Sequence, residues 1–166
     1  KPQTTRNRIL GVVHRPNAQM VFLDTPGIHR ATEPLNVRIV DEAFSAMADG
    51  DLILFVVDAE HGDETSEKLL LNKLIALKAP VILALNKIDS IAREALLVLI
   101  DQWSRAHAFQ AIVPISAATG EQVDSLLLEM EKLLPKGPPF FPEDTLTDLP
   151  QRFIVAEIIR EKVFRL

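Results

Sequence analysis

Pro80-Val81-Ile82-Leu83-Ala84-Leu85-Asn86-Lys87-Ile88-Asp89 is an apolar run that ends in a polar quartet. The run has no polar face, which is the pattern of a strand buried on both sides in the parallel sheet of an α/β fold. Asn86-Lys87-Ile88-Asp89 follows at the carboxyl end of that strand. In open α/β sheets, ligands gather beyond this end, so the quartet stands where a ligand would be met.

The quartet suits guanine. The Asp89 carboxylate can accept from the N1–H and the exocyclic amine of guanine together. Adenine has an acceptor at N1 and no amine beside it, so it would be repelled. Asn86 can both donate and accept, which fits N7 and neighbouring backbone groups. The stem of Lys87 can lie across the flat base with its ammonium in water. A site of this kind rejects a mismatched base by roughly 10⁴-fold or more, because its buried groups are left unpaired. The same residues would also serve as a plain polar turn after a strand, so the surrounding chain must decide.

Downstream, Arg93–Arg105 reads as a helix with Leu96, Leu99, Ile100 and Trp103 on one face; Trp103 is expected in the core. Ile112-Val113-Pro114-Ile115 is the last strand of the sheet, placed at an edge by its proline. In the Ser116-Ala117-Ala118-Thr119-Gly120 turn, the Ala117 N–H could donate to guanine O6, and small side chains permit the approach. Glu121–Leu134 reads as a helix along Val123, Leu126, Leu127, Met130, Leu133 and Leu134, stopped by Pro135 and Gly137. Pro138-Pro139-Phe140-Phe141-Pro142 reads as an ordered linker, and Asp148 with Pro150 starts a further helix, Gln151–Leu166.

Upstream, Glu64–Leu77 reads as a helix with Leu70, Leu74 and Leu77 inward, and Leu52–Val57 as a buried strand ending at Asp58. Glu33–Met47 is a helix with Val37, Val40, Phe44 and Met47 as its apolar stripe. Arg8–His14 and Met20–Leu23 flank the turn Arg15-Pro16-Asn17-Ala18 and form a hairpin. The second strand runs into Asp24-Thr25-Pro26-Gly27, a D-x-x-G pattern. There Asp24 can hold a water on Mg²⁺, and the Gly27 N–H can approach a γ-phosphate.

At 166 residues the chain can bury a sizeable core, and 48% hydrophobic with 25% charged residues makes it globular. A net charge of −5 argues against a polycationic nucleic-acid binder, so RNA contact needs a local patch or residues outside this stretch. The absence of cysteine excludes disulfides and thiolate-bound metal and fits a cytoplasmic setting. No apolar run approaches the ~20 residues of a membrane span. His14, His29, His61 and His107 are scattered without metal spacing and are expected at the surface. The chain starts at Lys1 without methionine and stops at Leu166 inside a helical pattern, so it reads as a piece of a longer protein.

The order of these motifs resembles the translation-factor-related GTPases of the Ras-like P-loop fold, and among them the Era-like family. The resemblance is carried by Pro2-Gln3-Thr4-Thr5-Arg6, Asp24-Thr25-Pro26-Gly27-Ile28-His29, Ala79 to Lys87, Ile112 to Ala117, Phe141-Pro142-Glu143-Asp144 and Ala156-Glu157-Ile158-Ile159-Arg160-Glu161-Lys162. It implies a GTP/GDP-binding domain over residues 1–134, a linker over 135–150 and the start of a KH-type RNA-binding domain over 151–166. It implies that Thr5 ligates Mg²⁺, with Thr4 the alternative, that Asp24 holds Mg²⁺ through water, and that Gly27 contacts the γ-phosphate. Thr25, Pro26, Ile28, Asn86, Lys87, Ile88, Asp89, Ser116 and Ala117 complete the implied nucleotide site. Ile28 stands where Ras-like relatives place a water-positioning glutamine, and an aliphatic side chain cannot orient water by hydrogen bonding. Hydrolysis is therefore expected to be slow.

The resemblance further implies 16S rRNA and the small ribosomal subunit as partners through the KH domain, peripheral inner-membrane association and a monomer. No G-x-x-x-x-G-K-[ST] occurs in the chain, so the phosphate cradle is missing, and so is the G-x-x-G clamp of a KH domain. On this basis residues 1–166 alone are expected to be unstable, inactive toward GTP and weak in RNA binding. A strand that the family places between Met20–Leu23 and Leu52–Val57 is absent. The competing readings are a nucleotide-free interaction module that has lost its P-loop, and a Der- or MnmE-like GTPase, against which the linker argues.

Overall fold

The computed structural model describes residues 9–24, 50–62, 64–75 and 79–147. Thr5, Thr25, Pro26, Gly27, Ile28 and the helices expected over Glu33–Met47 and Gln151–Leu166 lie outside these residues. The chain divides into two compact units, residues 1–27 with 137–166 and residues 28–136.

The first unit is built on a hairpin. Strand β1 (Ile9–Arg15) and strand β2 (Ala18–Asp24) pair antiparallel from Arg15↔Ala18 to Ile9↔Asp24. The connection is only Pro16-Asn17, so both strands run closer to the turn than the sequence pattern suggested. Val12 and Met20 are its buried side chains.

The proline-rich linker forms no extended strand, yet it is tied to this hairpin. Thr147 bridges Gly11, the Val12 N–H donates to the Leu146 carbonyl at 2.8 Å, and the Thr147 hydroxyl donates to the Leu10 carbonyl at 2.6 Å. Gln19 binds the linker through its carboxamide. Its Oε1 accepts from the Phe140 and Phe141 N–H groups at 2.7 and 2.9 Å, and its Nε2 donates to the Phe141 carbonyl at 2.8 Å. A carboxamide offers a donor and an acceptor in one plane, so it pairs with backbone as a strand would. His14 is half-buried, with Nε2 2.8 Å from the Thr145 carbonyl. The reading of His14 as a surface residue is thus corrected, because the linker covers it.

The second unit holds strands β3 (Ile53–Asp58), β4 (Val81–Asn86) and β5 (Ala111–Pro114), all parallel in the order β3-β4-β5. Helices α1 (Glu64–Ile75), α2 (Arg93–Ala106) and α3 (Val123–Glu131) make the connections and follow the last strand. Strand β4 is central, and Ile82, Leu83, Ala84 and Leu85 have no exposed surface. Pro114 occupies the edge strand, where its missing N–H costs no ladder bond to a further neighbour.

Ile53, Phe55 and Val57 of β3 pack with Leu83 and Leu85 of β4, with Leu71 and Leu74 of α1, and with Trp103 of α2. Trp103 meets Phe55 edge-on at 5.7 Å and Phe109 at 6.2 Å, so it belongs to the core as expected. His107 is also half-buried, edge-on to Phe109 at 4.9 Å, which corrects its assignment to the surface. Helix α3 is shorter than the expected Glu121–Leu134. Its start is delayed because the Ser116 N–H donates to the Glu121 carbonyl at 3.0 Å, and Gln122 then turns with φ 59°. Its end tightens where the Leu133 N–H bonds the Met130 carbonyl. Among the described residues no helix is long and apolar enough to cross a membrane.

Leu83→Ala in the full-length protein should lower unfolding free energy by about 2–5 kcal/mol, since the site is closed on all sides. Leu97→Ala, at a residue of α2 that is 62% exposed, should change it by no more than about 0.5 kcal/mol. Urea unfolding of the two variants beside the parent measures both.

Candidate functional site

The ladder of the parallel sheet is prolonged past its last residues. Asp58 and Asn86 lie in register, and the Ala59 N–H donates to the Asn86 carbonyl at 2.9 Å. On the other side, the Ile115 N–H donates to the Leu85 carbonyl at 2.8 Å, and the Ile88 N–H to the Ile115 carbonyl at 3.3 Å. Asp58, Asn86-Lys87-Ile88-Asp89 and Ser116-Ala117 are therefore gathered at one end of three neighbouring strands.

Between Asn86 and Asp89 the chain must turn sharply. Lys87 takes a left-handed conformation, φ 71° and ψ 35°, and Ile88–Ser90 forms a single 3₁₀ turn closed by the Ser90 N–H on the Lys87 carbonyl. A left-handed non-glycine residue costs roughly 1–2 kcal/mol. Two bonds to the Asn86 side chain offset this. Its Oδ1 accepts from the Lys87 N–H at 2.8 Å and from the Ala117 N–H at 3.0 Å. Asn86 thereby joins the end of β4 to the turn after β5. The Ala117 N–H, expected to reach guanine O6, is given to Asn86 here. With Oδ1 occupied, the free edge of the Asn86 amide is its NH₂ group, a donor suited to N7.

Ser116 is fully buried. Its hydroxyl accepts from the Thr119 N–H at 3.2 Å and stands near Asp89, whose Oδ2 accepts from the Ser90 hydroxyl at 3.4 Å. The nearby Ser116 hydroxyl and the Asp89 backbone N–H, helped by Ser90 and the Lys87 charge, hold the Asp89 carboxyl below its ordinary value against burial. Asp89 is thus an exposed acceptor whose ionised form its neighbours favour.

Lys87 departs from expectation. Its ammonium is paired with Asp58, Nζ to Oδ2 at 2.5 Å. The hydrogen bond to Asp58 pushes the Lys87 pKa up, opposed by burial and aided by the charges of Asp58, Glu60 and Asp89. Burial pushes the Asp58 carboxyl up, but bonds from Lys87, His61 and Glu60 together with the Lys87 charge outweigh it and hold it below its ordinary value. Sequence reasoning saw Asp58 only as a strand end. Its signal was its place at the carboxyl end of a strand adjoining the one that carries the quartet.

Of the phosphate-side residues, Asp24 is the last residue of β2 in the other unit. Thr5, Thr25, Pro26, Gly27 and Ile28 lie outside the described residues.

Residues 1–87 match the family described as 50S ribosome-binding GTPase, which is more than half of the chain. The chain belongs to that family. Its full length is similar to the GTPase Era of Geotalea uraniireducens at 52% identity and of Geotalea daltonii at 49%, and in each case it spans 56% of the relative. A crystal structure of Aquifex aeolicus Era, a single-residue variant bound to GDP·AlF₄⁻, matches with a TM-score of 0.84 and 44% identity over 98% of this chain and 56% of that one. The fold is the mixed α/β fold of the P-loop GTPases, and within the family the similarity is to its Era-like members.

The ion pair between Lys87 and Asp58 sets a pH window. The folded pKa of Asp58 lies below its ordinary 3.8, so its contribution to stability is present above that value and lost as pH falls through the folded one. The stability difference between parent and Asp58→Asn should stay constant from neutral pH down to about pH 5 and close at lower pH. Thermal melting across that range measures it.

Proposed function

We propose that the full-length protein binds GTP and GDP through this site and hydrolyses GTP. The observation that carries the reading is the pair formed by Asp89 and Asn86. A carboxylate whose ionised form is favoured by its neighbours stands three residues beyond an amide whose acceptor is occupied and whose donors face outward from those bonds. This arrangement complements the N1–H, exocyclic amine and N7 of guanine. Family membership and similarity to a relative bound to GDP·AlF₄⁻ support it.

The described residues fit the base. They supply no phosphate cradle, which in this reading belongs to a segment that carries a P-loop. Mg²⁺ would be held by Thr5 and, through water, by Asp24, with Gly27 at the γ-phosphate. Bound there, the cation would neutralise charge developing on the transferred phosphoryl group. This chain's own residues select and orient the base, and orientation contributes to the rate by presenting the phosphates in a reactive geometry. Ile28 offers no hydrogen bond to the attacking water, so hydrolysis is slow.

We further propose that the protein serves ribosome assembly in the cytoplasm, with peripheral attachment to the inner membrane, acts as a monomer, and reaches 16S rRNA through a KH domain that begins after the linker. The family description names the 50S particle, whereas this reading names the small subunit. Cosedimentation of the full-length protein with purified 30S and 50S subunits separates the two, and binding to 50S alone would sink the small-subunit reading.

Asp89→Asn tests the base. The new amide offers a donor where xanthine has a carbonyl and guanine an amine. Competitive binding by the full-length variant should show preference moving from GTP to XTP, roughly 10²-fold or more in relative affinity. Unchanged guanine preference would remove Asp89 from this role.

A further inference from the structure

We infer that Asp58 is a positioning residue for guanine selection: it holds the ammonium of Lys87 away from Asp89, so that the Asp89 carboxylate stays available to the base. The inference rests on the guanine reading of the site and concerns a residue outside the quartet.

Three carboxylates act on the charge of Lys87, those of Asp58, Glu60 and Asp89. A lysine is a mobile point charge on a flexible stem, and a direct ion pair with Asp89 would occupy the oxygens that guanine needs. Which carboxylate holds the ammonium therefore bears on recognition. The geometry favours Asp58 for a structural reason. Its Oδ1 accepts from both the Glu60 and the His61 N–H groups at 3.0 Å, which fixes the plane of the carboxylate. Its Oδ2 is thereby aimed at Lys87 Nζ, 2.5 Å away. The backbone adds to this. Asp58 is in register with Asn86, the Ala59 N–H is bonded to the Asn86 carbonyl, and the left-handed turn starts Lys87 from a fixed point beside β3. Asp89 instead accepts from the Ser90 hydroxyl at 3.4 Å, and Ser116, in the turn after β5, favours its ionised form. Asp58 is fixed on the β3 flank of β4 and holds the lysine there, while Asp89 is bonded within its own turn.

An ordinary exposed ion pair contributes little to stability and selects nothing. The positioning role makes a different demand. Losing Asp58 should harm the ligand that uses Asp89 most, and only while Lys87 is present to swing across. GDP offers Asp89 two donors, N1–H and the exocyclic amine. IDP offers only N1–H. The ratio of GDP to IDP affinity therefore reports how free Asp89 is, and a general loosening of the site would not move it.

The test uses the full-length protein and calorimetric binding of GDP and IDP. Asp58→Asn keeps an oxygen for the Glu60 and His61 N–H groups and removes the charge. Asp58→Ser keeps a hydroxyl acceptor and removes the reach. Either variant should lower the GDP-to-IDP ratio by about tenfold, the scale of one hydrogen bond to a charged group. In a Lys87→Met background the same substitutions should leave the ratio unchanged. A ratio unaltered by both Asp58 variants in a guanine-selective parent overturns the inference and leaves the guanine reading intact. An equal fall with and without Lys87 overturns it too, since Asp58 would then act through its loop. A parent with no preference for GDP over IDP would instead defeat the guanine reading itself.

Discussion

The burial of strand β4 on both faces and along both edges is the constraint from which the site follows. Its side chains from Ile82 to Leu85 see no solvent, and β3 and β5 take up its backbone groups. A slip of one residue would turn every side chain to the other face. The register is therefore fixed, and it delivers Asn86 opposite Asp58 and Leu85 opposite Pro114. The polar residues beyond the ladder inherit that precision without a core of their own.

What they do with it is a matter of satisfied hydrogen bonds. Asn86 commits its acceptor to two backbone N–H groups, one from its own strand end and one from the turn after β5. Ser116 has no exposed surface, and its hydroxyl accepts from the Thr119 N–H. Bonds of this kind rigidify a site. The left-handed Lys87 is tolerated because these bonds determine the turn around it.

The linker follows the same logic at the hairpin. Pro138, Pro139 and Pro142 lack N–H groups and cannot complete a regular ladder. The segment is held instead by the few N–H and carbonyl groups that remain, at Phe140, Phe141, Leu146 and Thr147, against Gln19, Leu10 and Val12. Its order comes from side-chain and backbone partners on β1 and β2.

Local pattern in the sequence was enough to locate β4, the edge strand with Pro114, the inward face of α2 with Trp103, and the hairpin around Pro16-Asn17, because periodicity and turn chemistry act over a few residues. It also placed Asn86, Asp89, Ser116 and Ala117 at strand ends, where the structure brings them together. It could not show that Leu71 is buried or that α3 waits until Val123. The first depends on which side of α1 meets β3, and the second on a bond between Ser116 and Glu121 that competes with the helix. Nor could it show Asp58 holding Lys87, or Gln19 bound to Phe141, pairs separated along the chain and joined only in space. Periodicity tells which face of an element is apolar. Which polar groups meet across elements is decided by strand order and register, and those belong to the folded chain alone.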